Sequence, residues 1–400
     1  MHCVARSRGR FRPITVFHRV WLLAFAASGA ACSSAWGGFP LLYWDVNGAA
    51  PGAGGPVATG VWSAVAPNWS AAPGGGVPTA GWAAGSTAVF SAGADAVGAF
   101  TVTLGPAAPI PGVAGMIVEE GAVTIASGGA ASGLTLTFPT IITGFVVPAA
   151  SATIETPLLG TVGLTKAGPG MLTIDTAPSG PLTVTAGRLR FAASTPPTLT
   201  VVPSLAIAGG AAPVATLDIT NNAFVVDYAP PGPSPLPVIA AQIDSAHAGG
   251  SWLGPGITTS LGNAINFAVG YAEAADLATV PPIFGTVDAT AVLIRFTRYG
   301  DANLSGSVGL ADFDRLAANF GTAAGAMWVD ADFNYDGIVN LGDFNLLAAN
   351  FGLSVGPEGP APADWSRLAA AVPEPASLAW LALAATLLVP RTCRGSRRCG

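Results

Sequence analysis

Ten positions between 301 and 343 place oxygen ligands at the spacing of a metal-binding loop, twice over. In D-F-N-Y-D-G-I-V-N-L-G-D, side-chain oxygens fall at the first, third, fifth and twelfth positions, as Asp332, Asn334, Asp336 and Asp343. The Ile338 carbonyl stands seventh, and Gly337 stands sixth for the sharp turn. The earlier copy, D-A-N-L-S-G-S-V-G-L-A-D, supplies Asp301, Asn303, Ser305, the Ser307 carbonyl and Asp312, with Gly306 at the turn. A hard cation collects about six to eight oxygens from one short, tightly turned segment in this way, and the pattern points to Ca2+. Three carboxylates in the second copy against two in the first make the second the expected tighter site.

The elements that hold these ligands repeat with them. The copies are offset by 31 residues, and 13 of the 21 paired positions at 301–321 and 332–352 are identical. Such self-similarity marks a duplicated structural unit. Each loop runs into an amphipathic helix, with Leu310, Phe313, Leu316, Ala317 and Phe320 on one face and Leu341, Phe344, Leu347, Ala348 and Phe351 repeating it. Gly321 and Gly352 follow as stops. Before the first loop, A-V-L-I-R-F-T-R-Y at 291–299 reads as a strand where an EF-hand has its entering helix. Two loop-plus-exit-helix halves without that helix resemble a dockerin type I domain over 300–352. The resemblance implies calcium-dependent docking to a cohesin-like or other surface protein. Dockerins of known partner carry polar recognition residues at loop positions 10 and 11, where this chain has Leu310, Ala311, Leu341 and Gly342. A metal-free acidic hairpin is the plainer alternative.

Charge is sparse and oddly distributed. Nine of the 16 basic residues lie at the two ends, leaving seven against 22 acids between them, or about 15 net negative charges. Nucleic acid is excluded as a partner, because phosphate binding needs a basic footprint. Residues 1–35 read as a secretory signal peptide, with basic residues up to Arg19 and an apolar run at 20–31. At the other end, V-P-E-P-A-S at 372–377 precedes an apolar run at 378–390 and an arginine tail. Thirteen apolar residues are short for a membrane helix, which needs about 20. The triplet, run and tail resemble a PEP-CTERM sorting signal at 372–400, which implies export, transient membrane retention and an exosortase-type processing enzyme. An ordinary C-terminal membrane anchor is the alternative. Membrane contact is thus expected only through these terminal segments. All four cysteines (Cys3, Cys32, Cys393, Cys399) sit in or beside them, so the body is expected to hold without disulfides.

The body reads as β. Short alternating runs such as F-T-V-T-L at 100–104, A-V-T-I at 122–125 and L-T-L-T-F at 134–138 are broken by Gly and Pro. G-L-T-K-A-G-P-G-M-L-T-I at 163–174 and G-P-L-T-V-T-A-G-R-L-R-F at 180–191 resemble the autotransporter-associated β-strand repeat. That likeness implies a parallel β-solenoid over 36–237, with a β-sandwich left open for part of it. After the proline-rich stretch at 227–237, residues 238–299 carry a short helix near 238–246; N-N-A-F-V-V-D-Y at 221–228, G-G-S-W-L-G-P-G-I at 249–257 and T-A-V-L-I-R-F-T-R-Y-G-D at 290–301 together look like the tail module of exported planctomycete-type proteins. Residues 353–371 read as a linker. The expected fold is therefore mainly β: a parallel solenoid or sandwich body followed by a small helical calcium module.

Catalytic motifs are hard to find. His247 is the only histidine after the signal peptide, and it reads as a solvated loop residue. Glycoside hydrolysis needs two carboxylates facing one cleft. Glu119 and Glu120 are adjacent, while Asp45, Asp95, Glu155, Asp175, Asp218, Asp227 and Asp244 are scattered singly. Trp44, Trp62, Trp69 and Trp82 suit either a sugar-stacking platform or the capped end of a β core. Two readings follow: an exported, non-catalytic cell-surface or matrix protein, or a glycoside hydrolase or polysaccharide-binding protein presented through the same docking module. Converging carboxylates beside exposed tryptophans would mark the second, and a smooth Thr/Ala/Gly surface the first.

Overall fold

The computed structural model describes residues 38–144 and 147–355. The signal peptide, the sorting signal, nearly all of the linker and the four cysteines lie outside them. Among the described residues no helix is long and apolar enough to cross a membrane.

The chain divides into two units, the first reaching Phe296 and the second starting at Thr297. Period-two alternation builds the first unit. In Ala99–Leu104, Ala122–Ala126, Ser151–Glu155, Met171–Ile174 and Arg188–Phe191, every second residue is buried and the residues between are half-buried or exposed. These strands do not form hairpins. They pair in parallel and in register, coil upon coil. One sheet runs Gly60–Trp62, Ala99–Leu104, Ala122–Ala126, Ser151–Glu155, Met171–Ile174, Arg188–Phe191, Thr216–Asp218 and Gly256–Thr258. A second sheet of eight strands runs from Leu205–Ile207 back to Leu41–Trp44, with Trp69–Ser70 at its edge. Ile110–Val113, Leu134–Leu136 and Leu158–Leu159 form a short third face. Successive coils of parallel strands around one core make this body a β-solenoid.

Register aligns like with like. Val102, Ile125, Ile154, Ile174 and Phe191 stack into one inward column, and Thr101, Thr124, Thr153 and Thr173 into one outward rank. Inward residues on adjacent coils then bury each other without extra chain. Glycines let the turns stack as tightly: at Gly168 (φ 76°) a Cβ would lie 2.3 Å from the Thr143 carbonyl oxygen of the coil before.

Lys166 interrupts one apolar column, between Ile141 and Val184. Its side chain is fully buried, and its ammonium donates to the carbonyls of Ala167, Gly168 and Ala186 at 2.8, 2.7 and 3.1 Å. All three donors are used, which offsets much of the cost of burying the charge. Burial still pulls this lysine down to about 8.

The unit closes differently at its two ends. At the N-terminal end, Trp69–Ser70 pairs antiparallel to Leu41–Trp44 and interrupts the parallel ladder. At the other end, the sequence-based boundary at 237/238 falls inside the unit. Gly256–Thr258 extends the first sheet, and Leu199–Val202 and Ala223–Asp227 share a sheet with Ala291–Arg298 and Phe267–Glu273. These are long-range pairings, which local composition does not reveal. The expected helix forms at Leu236–His247 and lies against Gly256–Thr258 and Phe267–Glu273.

Candidate functional site

The second unit holds both oxygen-rich loops, and they fold as copies. Loop position 4 is left-handed in each (Leu304 φ 58°, Tyr335 φ 62°), as is the glycine at position 6 (Gly306 φ 89°, Gly337 φ 77°). A non-glycine residue at positive φ costs about 1–2 kcal/mol, so the surrounding bonds must hold it there.

Those bonds come from the carboxylates. Asp301 accepts the N–H groups of Ser305 and Gly306 at 2.9 and 2.8 Å, and Asp332 accepts those of Asp336 and Gly337 at 3.1 and 2.8 Å. Asp301 also accepts the Thr297 hydroxyl. The closing residues reach back across each loop. Asp312 accepts from Asn303 and Gly309 at 3.2 and 2.8 Å; Asp343 accepts from Phe333, Asn334 and Asn340 at 2.8, 3.2 and 2.9 Å. Asn303 and Asn334 accept the N–H of position 5 at 2.9 and 3.0 Å.

The closing carboxylates thereby also start the helices. Asp312 and Asp343 each bond the residue before the first turn of Leu310–Asn319 and Leu341–Asn350. The copies then exchange a rung: Val308 N–H donates to the Leu353 carbonyl at 3.0 Å, and Val339 N–H to that of Thr322 at 3.1 Å. Gly352 and Gly321 return bonds to Val308 and Val339, both at 2.9 Å. Each loop is thus tied to the end of the other copy's helix.

The core beneath the loops is only partly the one that helical periodicity suggests. Phe313, Leu316, Leu347 and Phe351 are buried, but Phe320 is 55% exposed and Leu341 62%. Loop residues join that core instead: Leu304, Val308, Phe333 and Val339 are fully buried, as is Trp328. Trp328 donates its indole N–H to the Asp301 carbonyl at 2.7 Å and meets Phe333 edge-on at 5.2 Å. No sequence signal singled Trp328 out, since it precedes the repeat it supports.

Electrostatically the loops are strained. Asp301, Asp312, Asp332 and Asp343 are buried; Asp312, Asp332 and Asp343 are met by backbone N–H groups, and among the described residues none of these three forms an ion pair. Burial, with Asp301 nearby, pushes Asp312 up to about 8; burial, with Asp343 and Asp336 adding repulsion, pushes Asp332 up to about 7. Asp343 is also raised, mainly by burial. Among the described residues, no three His, Cys, Asp or Glu side chains are gathered so as to hold a metal on their own. A cation here would also need the amide oxygens of Asn303 and Asn334, the Ser305 hydroxyl and the carbonyls of Ser307 and Ile338. That all-oxygen set suits a hard ion and not a soft one.

The sugar-stacking platform does not form. Trp44, Trp62, Trp69 and Trp82 form one buried cluster with Phe90, with the tryptophan neighbours at 4.9–5.2 Å, so they cap the core and offer no stacking surface. Glu120 is buried and accepts the Ala96 N–H at 3.1 Å; burial, with Glu120 beside it, pushes Glu119 up to about 7. Asp45 and Asp95 come near each other, but Asp45 is fully buried. His247, expected in a solvated loop, is instead the buried last residue of its helix, its ring 5.2 Å from that of Trp252. Burial pulls it down to about 4.

No family model matches the chain, and no solved structure does. Part of the sequence is similar to the adhesin BmaC autotransporter of Brucella suis biovar 1 (strain 1330), at 40% identity over 154 residues. The similar stretch is 37% of this chain and covers 4% of the length of that adhesin.

Proposed function

We propose that this is an exported, non-catalytic surface or extracellular-matrix protein, adhesin-like in its solenoid body and carrying a calcium-ordered docking unit. The observation that carries the reading is the surface of the solenoid. Its outward rank is Thr101, Thr124, Thr153 and Thr173, while Trp44, Trp62, Trp69 and Trp82 are buried and Asp45, Asp95 and Glu120 accept backbone N–H groups. Such a body presents a regular, low-charge face for contact. The partial likeness to an autotransporter adhesin supports the same reading.

Calcium, in this reading, is held by Asp301, Asn303, Ser305, the Ser307 carbonyl and Asp312 in one loop. In the other it is held by Asp332, Asn334, Asp336, the Ile338 carbonyl and Asp343. The ion would offset the repulsion among buried carboxylates and fix the two helices for a partner. Because Leu310, Ala311, Leu341 and Gly342 replace polar recognition residues, a surface protein engaged through apolar contacts suits this unit better than an ordinary cohesin. Leu341 is already exposed for that role.

Fractionation of the producing cell, with and without chelator, tests the proposal. The protein should be recovered from the outer or extracellular fraction, be released from its partner by chelator, and yield no sugar from a polysaccharide panel. Recovery in the cytoplasm, or chelator-insensitive release of sugars, would contradict it.

A further inference from the structure

A second set of oxygens lies far along the chain from the paired loops, in D-V-N-G at 45–48, next to the tryptophan cluster. Asp45 follows Trp44 at the end of the first strand and is fully buried. Its Oδ1 accepts the Asn47 N–H at 3.0 Å and the Gly48 N–H also acts on the carboxylate, but its Oδ2 is enclosed with no hydrogen-bond partner among the described residues. The amide oxygen of Asn47 is likewise enclosed without a donor, while its Nδ2 donates to the Pro51 carbonyl at 3.1 Å.

Asp95 approaches the same turn. Its two oxygens accept the N–H groups of Ala53 and Gly55, both at 2.8 Å. The chain wraps it closely, since a Cβ at Gly52 (φ 87°) would lie 2.5 Å from Asp95 Oδ2. Burial raises Asp45, and the charge of Asp95 adds to that rise. Two enclosed acceptor oxygens, one of them on a carboxylate, thus sit beside a second carboxylate. An enclosed acceptor without a partner costs about 1–3 kcal/mol, and more when charged. Only a bound cation, a trapped water or a proton on Asp45 removes that cost.

We infer that Asp45 Oδ2 and Asn47 Oδ1, with Asp95 supplying further negative charge, form a calcium site that fastens the 45–55 loop to the first coils of the solenoid. The ligand chemistry selects the ion: carboxylate and amide oxygens with no sulfur or imidazole suit a hard divalent cation. One water donating to both oxygens, or a proton on Asp45 Oδ2 donating to the Asn47 oxygen, would satisfy the pair without metal; the second carboxylate close by, Asp95, is what favours a cation.

The test uses the full chain carrying Asp312→Ala and Asp343→Ala, which removes the closing ligands of the paired loops. Calorimetric titration with calcium should still find one ion per chain in this background. Asp45→Asn, which keeps the bond to Asn47 N–H, should weaken that binding at least tenfold with the β circular-dichroism signal unchanged. Asn47→Ala keeps every carboxylate and should weaken it too, which decides the matter should Asp45→Asn fail to fold. A background chain that binds no calcium, or binding unaffected by both changes, overturns the inference in favour of a water or a proton. Failure of the paired loops would show separately, as equal stoichiometry in the wild type and the background chain.

Discussion

Ile154 and Thr153 are neighbours in one strand, and the solenoid predicts opposite fates for their removal. Ile154 is fully buried between Ile125 and Ile174 of the adjacent coils. Ile154→Ala deletes three carbons, worth about 0.8 kcal/mol each in transfer, or about 2.4 kcal/mol together. The stacked isoleucines cannot close the gap, because parallel register fixes their spacing, so a cavity contribution raises the loss to about 3–4 kcal/mol. Thr153 stands half-buried in the outward rank. Thr153→Ala gives up only β propensity and rank contacts, below about 1 kcal/mol. Urea unfolding followed by circular dichroism should show a midpoint shift at least threefold larger for Ile154→Ala, at unchanged slope. Equal losses, or a larger one for Thr153→Ala, would refute the assignment of inward and outward faces.

Two further outcomes follow. Gly337→Ala has room for its Cβ, whose nearest contact is 3.7 Å away, so its cost is the left-handed backbone alone, about 1–2 kcal/mol. Calcium affinity of the second loop should fall about tenfold or more while the solenoid's unfolding midpoint stays fixed. His247 has its folded value lowered from 6.5 to about 4, so its contribution is fully present above pH 6.5 and is lost as pH falls through 4. That difference corresponds to about 3 kcal/mol, and His247→Gln should flatten the acid limb of the stability profile between those two values. An unchanged acid limb would show that His247 does not stay neutral in the folded chain.

Local patterns carried much of this structure. Alternation in A-F-T-V-T-L and S-A-T-I-E, the loop spacing and the helices after each loop are all properties of short stretches. What they left out depends on distant partners. Lys166 falls on the inward face with Leu164, and the short stretch alone does not show what holds a charge there; the turn carbonyls of its own and the next coil do. The four tryptophans are ambiguous in sequence, because platform and cap have the same composition, and it is their packing on one another and on Phe90 that shows them buried. Phe320 is outward because the loops, with Trp328, fill the core that the helical face was expected to fill. The solenoid continues past the proline-rich stretch because Gly256–Thr258 pairs with Thr216–Asp218 across about forty residues, which no local signal announces.

Calcium binding by the full chain, compared with chains carrying Asp312→Ala, Asp343→Ala or both, tests the paired loops most directly. Heat from the two loop sites is expected between roughly micromolar and millimolar calcium. Asp343→Ala should lose the tighter site and more metal-induced helix than Asp312→Ala, and the double change should lose both. Identical titrations for wild type and double variant, with no calcium-dependent change in helix, would contradict a calcium-ordered docking unit.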